Sequence, residues 1–142
     1  HTADALESVL TAVRAHSRKK LWCVFGCGGD RDKGKRPIMA AVAERLADQV
    51  ILTSDNPRTE NAEKILKDIL SGFERPQSVV TYDDRKAAID YAIEHAAPGD
   101  CILIAGKGHE QYQLIGDQKL PFCDVAMAES ALKLRENKVR VQ

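Results

Sequence analysis

Three loops of this 142-residue chain gather side chains that could hold a small charged molecule. Gly26-Cys27-Gly28-Gly29-Asp30-Arg31-Asp32-Lys33-Gly34-Lys35-Arg36 follows the apolar run Leu21-Trp22-Cys23-Val24-Phe25. Asp55-Asn56-Pro57-Arg58 follows Val50-Ile51-Leu52-Thr53, and Gly106-Lys107-Gly108-His109-Glu110 follows Cys101-Ile102-Leu103-Ile104-Ala105. Arg31 and Arg58 each present a planar fork of N–H donors that pairs with both oxygens of a carboxylate, and Asn56 adds an amide that both donates and accepts. Glu110 supplies the opposite charge, suited to an ammonium, while Gly106 leaves room for close backbone approach. Two cations, an amide and one acid fit a zwitterion, so the residues alone point to an amino-acid or small-peptide site.

Competing chemistries fit less well. After Gly26-x-Gly28, the third glycine of a dinucleotide fingerprint is replaced by Arg31, and no G-x-x-x-x-G-K-[ST] phosphate loop occurs anywhere. An unshifted imidazole titrates near neutrality, so His109 could serve as a general base, but a histidine that bonds to neighbouring loops and holds them is the simpler reading. His16 and His95 fall near expected helix C-termini, where a cation suits the dipole. Asp83 and Asp84 read as helix caps rather than as a metal pair. Cys23, Cys27, Cys101 and Cys123 form no C-x-x-C pair. They are expected to be reduced and mainly buried, with no disulfide or metal role.

The elements that must position these loops follow from hydropathy. Leu6, Val9, Leu10 and Val13 recur at helical spacing, predicting a helix from about residue 3 to 16 with Thr2 as its cap. Leu21–Phe25 predicts a buried strand. Pro37 suits a first helical turn, with Ile38, Val42 and Leu46 on one face up to about Ala47. The alternation repeats with strand 50–53 and a helix carrying Ala62, Ile65, Leu66, Ile69 and Leu70. It repeats again with a weaker strand at 78–82 and a helix from Ala87 to about Ala96, ended by Pro98-Gly99, and then with strand 101–105. Thereafter Tyr112–Ile115, Gly116-Asp117 and Gln118–Leu120 read as a two-residue hairpin, and a last helix is expected from about Asp124 to Arg135. The fold class is therefore α/β: a single three-layer, Rossmann-like domain with a mostly parallel sheet and an antiparallel edge supplied by the hairpin. In such sheets ligands bind beyond the carboxyl ends of the strands, where all three loops should converge.

Composition narrows the partners. With 21 Lys+Arg against 21 Asp+Glu, no net positive field draws in nucleic acid or an anionic membrane surface. Apolar runs such as Cys101–Ala105 are far short of the ~20 residues of a membrane-spanning helix. A soluble, cytoplasmic, monomeric protein is expected. The chain starts at His1 with no signal pattern and is expected to be a piece of something longer.

At these loops the sequence resembles the C-terminal domain of the Mur ligases across nearly its whole length. Residues 26–37 are similar to the family's first loop, Asp55–Arg58 to its substrate-selecting loop, and Gly106–Glu110 to its third. His1-Thr2-Ala3-Asp4 is similar to the end of an Asp-Tyr-Ala-His-Thr-Pro-Asp segment, with Ala3 where proline is usual. The resemblance implies an ATP-dependent ligase of peptidoglycan-precursor synthesis. Its N-terminal UDP-binding domain and central ATPase domain, holding ATP and Mg2+, would lie outside this chain. It implies further that an acyl phosphate forms on UDP-MurNAc-L-Ala-D-Glu and that meso-2,6-diaminopimelate attacks it. Carried over by motif, Arg31, Asn56, Arg58, Gly106 and Glu110 hold the diaminopimelate, with Asp55, Pro57, Lys107 and His109 in support. His1 lies towards the nucleotide. The domain itself would contribute positioning and no catalytic residue or metal ligand. A folylpolyglutamate synthase-like C-terminal domain and a non-catalytic amino-acid-binding module are the alternatives.

Overall fold

In the computed structural model the described residues are 2–16, 19–29, 33–97 and 99–106, with the backbone of two further strands at 112–115 and 118–121. Helix α1 (Ala3–His16) starts under Thr2, whose hydroxyl accepts from the Ala5 N–H at 3.0 Å. Strand β1 (Leu21–Phe25), helix α2 (Lys35–Leu46), strand β2 (Gln49–Leu52), helix α3 (Ala62–Leu70), a 3-10 turn (Pro76–Ser78), strand β3 (Val80–Thr81), helix α4 (Arg85–His95) and strand β4 (Cys101–Ile104) follow. The four strands form one parallel sheet in the order β3-β2-β1-β4. Parallel pairing requires a crossover between strands, which the helices provide.

Side-chain alternation on β1 sets the three layers. Leu21, Cys23 and Phe25 face α1, α2 and α3, packing with Leu6, Leu10, Met39, Ala43, Ile65 and Ile69. Trp22 and Val24 face α4 and meet Ala88, Ala92 and Ala96. Because β1 is covered on both faces, all five of its residues are buried. Capping fixes where helices begin: Asn61 Oδ1 accepts from the Glu63 and Lys64 N–H groups, and Asp84 Oδ1 accepts from Lys86 N–H. The expected capping role at Asp83-Asp84 therefore falls to Asp84.

Several expectations need correction. The strand expected at 78–82 is only the two residues Val80–Thr81, because Pro76 begins a 3-10 turn that uses up residues 76–78. Ile38 is 56% exposed, and α2 instead buries Arg36, Met39, Ala40, Val42 and Ala43. The stripe runs at i, i+3, i+4 and i+7 from Arg36, so the arginine sets the face and Ile38 falls outside it. Val9 is 44% exposed, at the mouth of an apolar cavity of about 260 Å3 between α1 and the ends of β1 and β4. The hairpin strands β5 (Tyr112–Ile115) and β6 (Gln118–Pro121) pair antiparallel, closing with Ile115 opposite Gln118, but as a two-stranded sheet of their own rather than as an edge of the larger one. The helix expected near 124–135 lies outside the described residues. No helix among the described residues is long and apolar enough to cross a membrane.

The turn before β4 is pinned to the sheet by one carboxylate. Asp100 accepts from Ala97 N–H at 2.9 Å, from the Trp22 indole at 3.0 Å and from Lys20 N–H at 3.2 Å. These bonds, that from Ala97 foremost, hold the Asp100 carboxyl below the ordinary carboxylate range. A carboxylate with a lowered folded pKa stabilises above its unfolded value of about 3.9 and loses that contribution as pH falls through the folded value. Asp100→Asn should therefore melt earlier than the parent chain near neutrality, with the gap closing below about pH 4. Thermal unfolding of both chains across that range checks it, and a gap that did not vary with pH would remove the carboxylate's charge from the account.

Candidate functional site

Parallel pairing brings the carboxyl ends of β1, β2 and β4 to one edge, and the loops that leave them touch. Gly29 N–H donates to Asn56 O at 2.6 Å, joining the first loop to the second. Contact is so close that a Cβ on Gly29 would overlap the Pro57 carbonyl oxygen, so only glycine fits. Arg58 completes the joint: its Nη1 donates to Gly29 O at 3.1 Å and to Asn56 O at 3.2 Å. Its backbone lies in the left-handed region, φ 54°, the only non-glycine residue there among those described. A left-handed residue other than glycine costs on the order of 1 kcal/mol, and such strain gathers at functional sites.

The third loop is reached through Gly106, which has φ 119°. A Cβ there would stand 3.6 Å from Arg85 Nη2 and 3.7 Å from Asp55 Oδ2, so Gly106 faces both groups with room for about one carbon between. Asp55 and Asn56 are 1% and 4% exposed, Pro57 is buried and Arg58 is half-buried. Asp55, Asn56, Pro57, Arg58 and Gly106 are thus brought together at one edge of the sheet. Arg31, Lys107, His109, Glu110 and His1 lie outside the described residues. Arg58 does not present an unengaged fork: Nη1 is committed to backbone carbonyls, which fixes the plane of the guanidinium.

Two residues given no role by the motifs organise this edge. Arg36, 1% exposed, makes a two-pronged pair with Glu60 (Nη2 to Oε1 2.8 Å, Nη1 to Oε2 3.0 Å), reaches Asp68 Oδ2 at 2.8 Å and donates to Gly28 O at 3.1 Å. Hydrogen bonding to Glu60, then to Asp68, raises its pKa and keeps it charged despite burial. Arg85, also 1% exposed, donates from Nη1 to Ser54 O and from Nη2 to Ala105 O, both at 3.1 Å. A sequence signal existed for both. Arg36 stands three, four and seven residues before Met39, Ala40 and Ala43, and Arg85 stands likewise before Ala88, Ile89 and Ala92. A charged residue heading a buried stripe must have partners.

Cys23 and Cys27 are buried packing groups, Cys101 is half-buried, and Cys123 lies outside the described residues. Burial pushes the Cys23 thiol up to about 12 and Cys27 up to about 11, so both stay protonated at neutral pH. Cys27 Sγ lies 3.7 Å from Met39 Sδ. His95, in the last turn of α4, stacks on Tyr91 with ring centroids 3.9 Å apart. Among the described residues no group of three or more His, Cys, Asp or Glu is placed to hold a metal ion.

Comparison with known proteins gives a consistent picture. The family model described as "Mur ligase, glutamate ligase domain" matches residues 1–108. The chain is 60% identical over 132 residues to a UDP-N-acetylmuramoyl-L-alanyl-D-glutamate--2,6-diaminopimelate ligase of Coxiella burnetii, covering 93% of this chain and 27% of that protein. It therefore spans about a quarter of the length of the curated relatives it matches. A solved structure of a ligase of the same name superposes with a TM-score of 0.91 at 47% identity, over 96% of this chain and 28% of that one. Escherichia coli FolC in complex with ADP superposes with a TM-score of 0.58 at 19% identity, covering 96% of this chain and 28% of that one, a likeness of fold alone.

The contact between the first two loops generates a test. Gly29→Ala places a methyl against the Pro57 carbonyl, and relieving the overlap must move one loop off the other. A loss of roughly 1–3 kcal/mol is expected, as for an overpacked core site. Urea unfolding measures it, and a variant as stable as the parent would show that the two loops are not held in contact.

Proposed function

The chain belongs to the Mur ligase family, as its glutamate ligase domain, and from that premise we propose that it is the amino-acid-binding C-terminal domain of a longer, ATP-dependent amide-bond ligase. That enzyme adds meso-2,6-diaminopimelate to UDP-N-acetylmuramoyl-L-alanyl-D-glutamate in peptidoglycan-precursor synthesis. The observation that carries the reading is the second loop. Asp55-Asn56-Pro57-Arg58 is seated on Gly29 with the Arg58 guanidinium plane fixed at the carboxyl edge of the sheet, in a chain 60% identical to a relative named for 2,6-diaminopimelate.

Under this reading ATP and Mg2+ are bound mainly by the central domain, outside this chain. The described residues of this chain do not fit either group: they contain no candidate metal cluster, and the sequence has no P-loop. The upstream domains would activate the D-glutamate side-chain carboxylate as an acyl phosphate, and this domain would hold the diamino acid so that one amine meets it. Arg31 and Arg58 take carboxylates, and Glu110 with the Gly106 carbonyl takes an ammonium. Asn56 adds a hydrogen bond, and Asp55, Pro57, Lys107 and His109 support the loops. His1 lies on the nucleotide side. The contribution to rate is orientation, since none of these residues needs to move a proton. A folylpolyglutamate synthase-like role is less supported, because the FolC likeness is one of fold at 19% identity.

Arg58 makes the reading testable. meso-Diaminopimelate differs from L-lysine by one distal carboxylate, and a guanidinium without its partner penalises lysine by more than the ~10–200-fold of a missing methylene. In the full-length enzyme, Arg58→Ala should lose most of the preference measured by kcat/KM, and Arg58→Lys should keep part of it. Arg58→Gly, which suits the left-handed backbone, separates loss of the guanidinium from strain and should match Arg58→Ala. An Arg58→Ala enzyme with the parent ratio would sink the assignment. So would amide-bond formation by this chain alone.

A further inference from the structure

In the sheet order β3-β2-β1-β4, the strands that carry the second and third loops are not neighbours. Strand β1 stands between them, so their axes run roughly 9–10 Å apart and no ladder hydrogen bond relates one to the other. Past the strand ends something else must set the distance between Asn56 and Arg58 on one side and Gly106 on the other. Arg85 does so: Ser54 O, one residue before Asp55, and Ala105 O, one residue before Gly106, both accept from the same planar guanidinium at 3.1 Å.

This cation is hard to explain as helix stabilisation. It occupies the first turn of α4, where the helix dipole disfavours positive charge, and it is 1% exposed, so it has given up its hydration. Its two donors instead span two loops. Ala105 O, the carbonyl immediately before Gly106, is bonded to Nη2, so displacing the guanidinium releases that loop.

We propose that Arg85 is a positioning residue for the amino-acid pocket, fixing the separation of the loop that reads carboxylate from the loop that reads ammonium. This rests on the reading of the pocket given above. A zwitterion with charges a fixed distance apart is recognised only if both loops keep their spacing, and a displacement near 1 Å is enough to cost about 100-fold. Lysine cannot replace the fork, because one ammonium nitrogen replaces two donors held in a plane.

The test uses the full-length enzyme. Arg85→Met keeps the apolar stem and removes the fork, and should raise KM for meso-diaminopimelate about 10-fold or more while KM for ATP stays within about twofold. Arg85→Lys should fall between Arg85→Met and the parent, and it carries the same readout if Arg85→Met yields no folded protein. Leu10→Ala, in the core under α1 and outside the proposed pocket, serves as a stability control and should leave both KM values unchanged. Amino-acid and ATP KM values that rise together, or an amino-acid KM unchanged in both Arg85 variants, overturn the proposal. Should the Arg58 variants shift substrate preference while the Arg85 variants do not raise the amino-acid KM, this inference falls and the pocket reading stands. Should the Arg58 variants keep the parent preference, both fall.

Discussion

A parallel sheet aligns its strands but not the loops beyond them, and everything at this site depends on how the chain solves that problem. The ladder ends where Thr53 N–H meets Phe25 O and Ala105 N–H meets Val24 O, at 3.0 and 2.9 Å. From there outward, order comes from arginine forks donating to backbone carbonyls. Arg36 takes Gly28 O, Arg58 takes Gly29 O and Asn56 O, and Arg85 takes Ser54 O and Ala105 O. A guanidinium suits this use because it has five donors in one plane and no acceptor, so a single side chain can satisfy the carbonyls of two segments at once.

The arrangement has an energetic cost at Arg36 and Arg85, the buried cations among the described residues. Desolvating an ion costs several kcal/mol unless partners replace the water. Arg36 is compensated by charge, with Glu60 and Asp68 within 3.0 Å, and so acts as an anchor between α2, α3 and the first loop. Arg85 has backbone carbonyls among its partners, dipoles whose positions define the site itself. Both head a helix and both begin the buried stripe of that helix. Each helix thus uses its first turn to clamp a loop and the next two turns to fill the core.

That double use explains what could be read from the residues and what could not. The strand and helix positions were legible because apolar periodicity dominates them: α1, β1, α3 and β4 fall within a residue of expectation. That Asp55–Arg58 and Gly106 lie at one edge was legible too, because parallel strands all end on the same edge of the sheet; their separation depends on strand order, which hydropathy does not give. The clamps were not, because a hydropathy pattern treats Arg36 and Arg85 as interruptions when they are members of the stripe, and the same habit put Ile38 inside. The short β3 shows the opposite error. Val79, Val80 and Tyr82 have strand chemistry, but Pro76 fixes the turn before them and leaves two residues to pair with Ile51 and Leu52.

Arg58 shows most directly why a binding loop is built this way. Placing a non-glycine residue at φ 54° costs about 1 kcal/mol, and tying Nη1 to two carbonyls removes rotamer freedom from a side chain that has much to lose. Both costs fall on folding, before any ligand arrives. A long flexible arginine would otherwise lose roughly 0.5–1.5 kcal/mol on binding, at the moment when affinity is decided. Under the proposed reading, moving that loss into the fold would let the pocket discriminate by geometry: a carboxylate in the plane of the guanidinium would bind without reorganising Arg58, and a ligand lacking it would leave a held cation unpaired. The contacts of Gly29, Asn56 and Arg58 that hold the loop scaffold would then also set the geometry by which the proposed pocket selects its ligand.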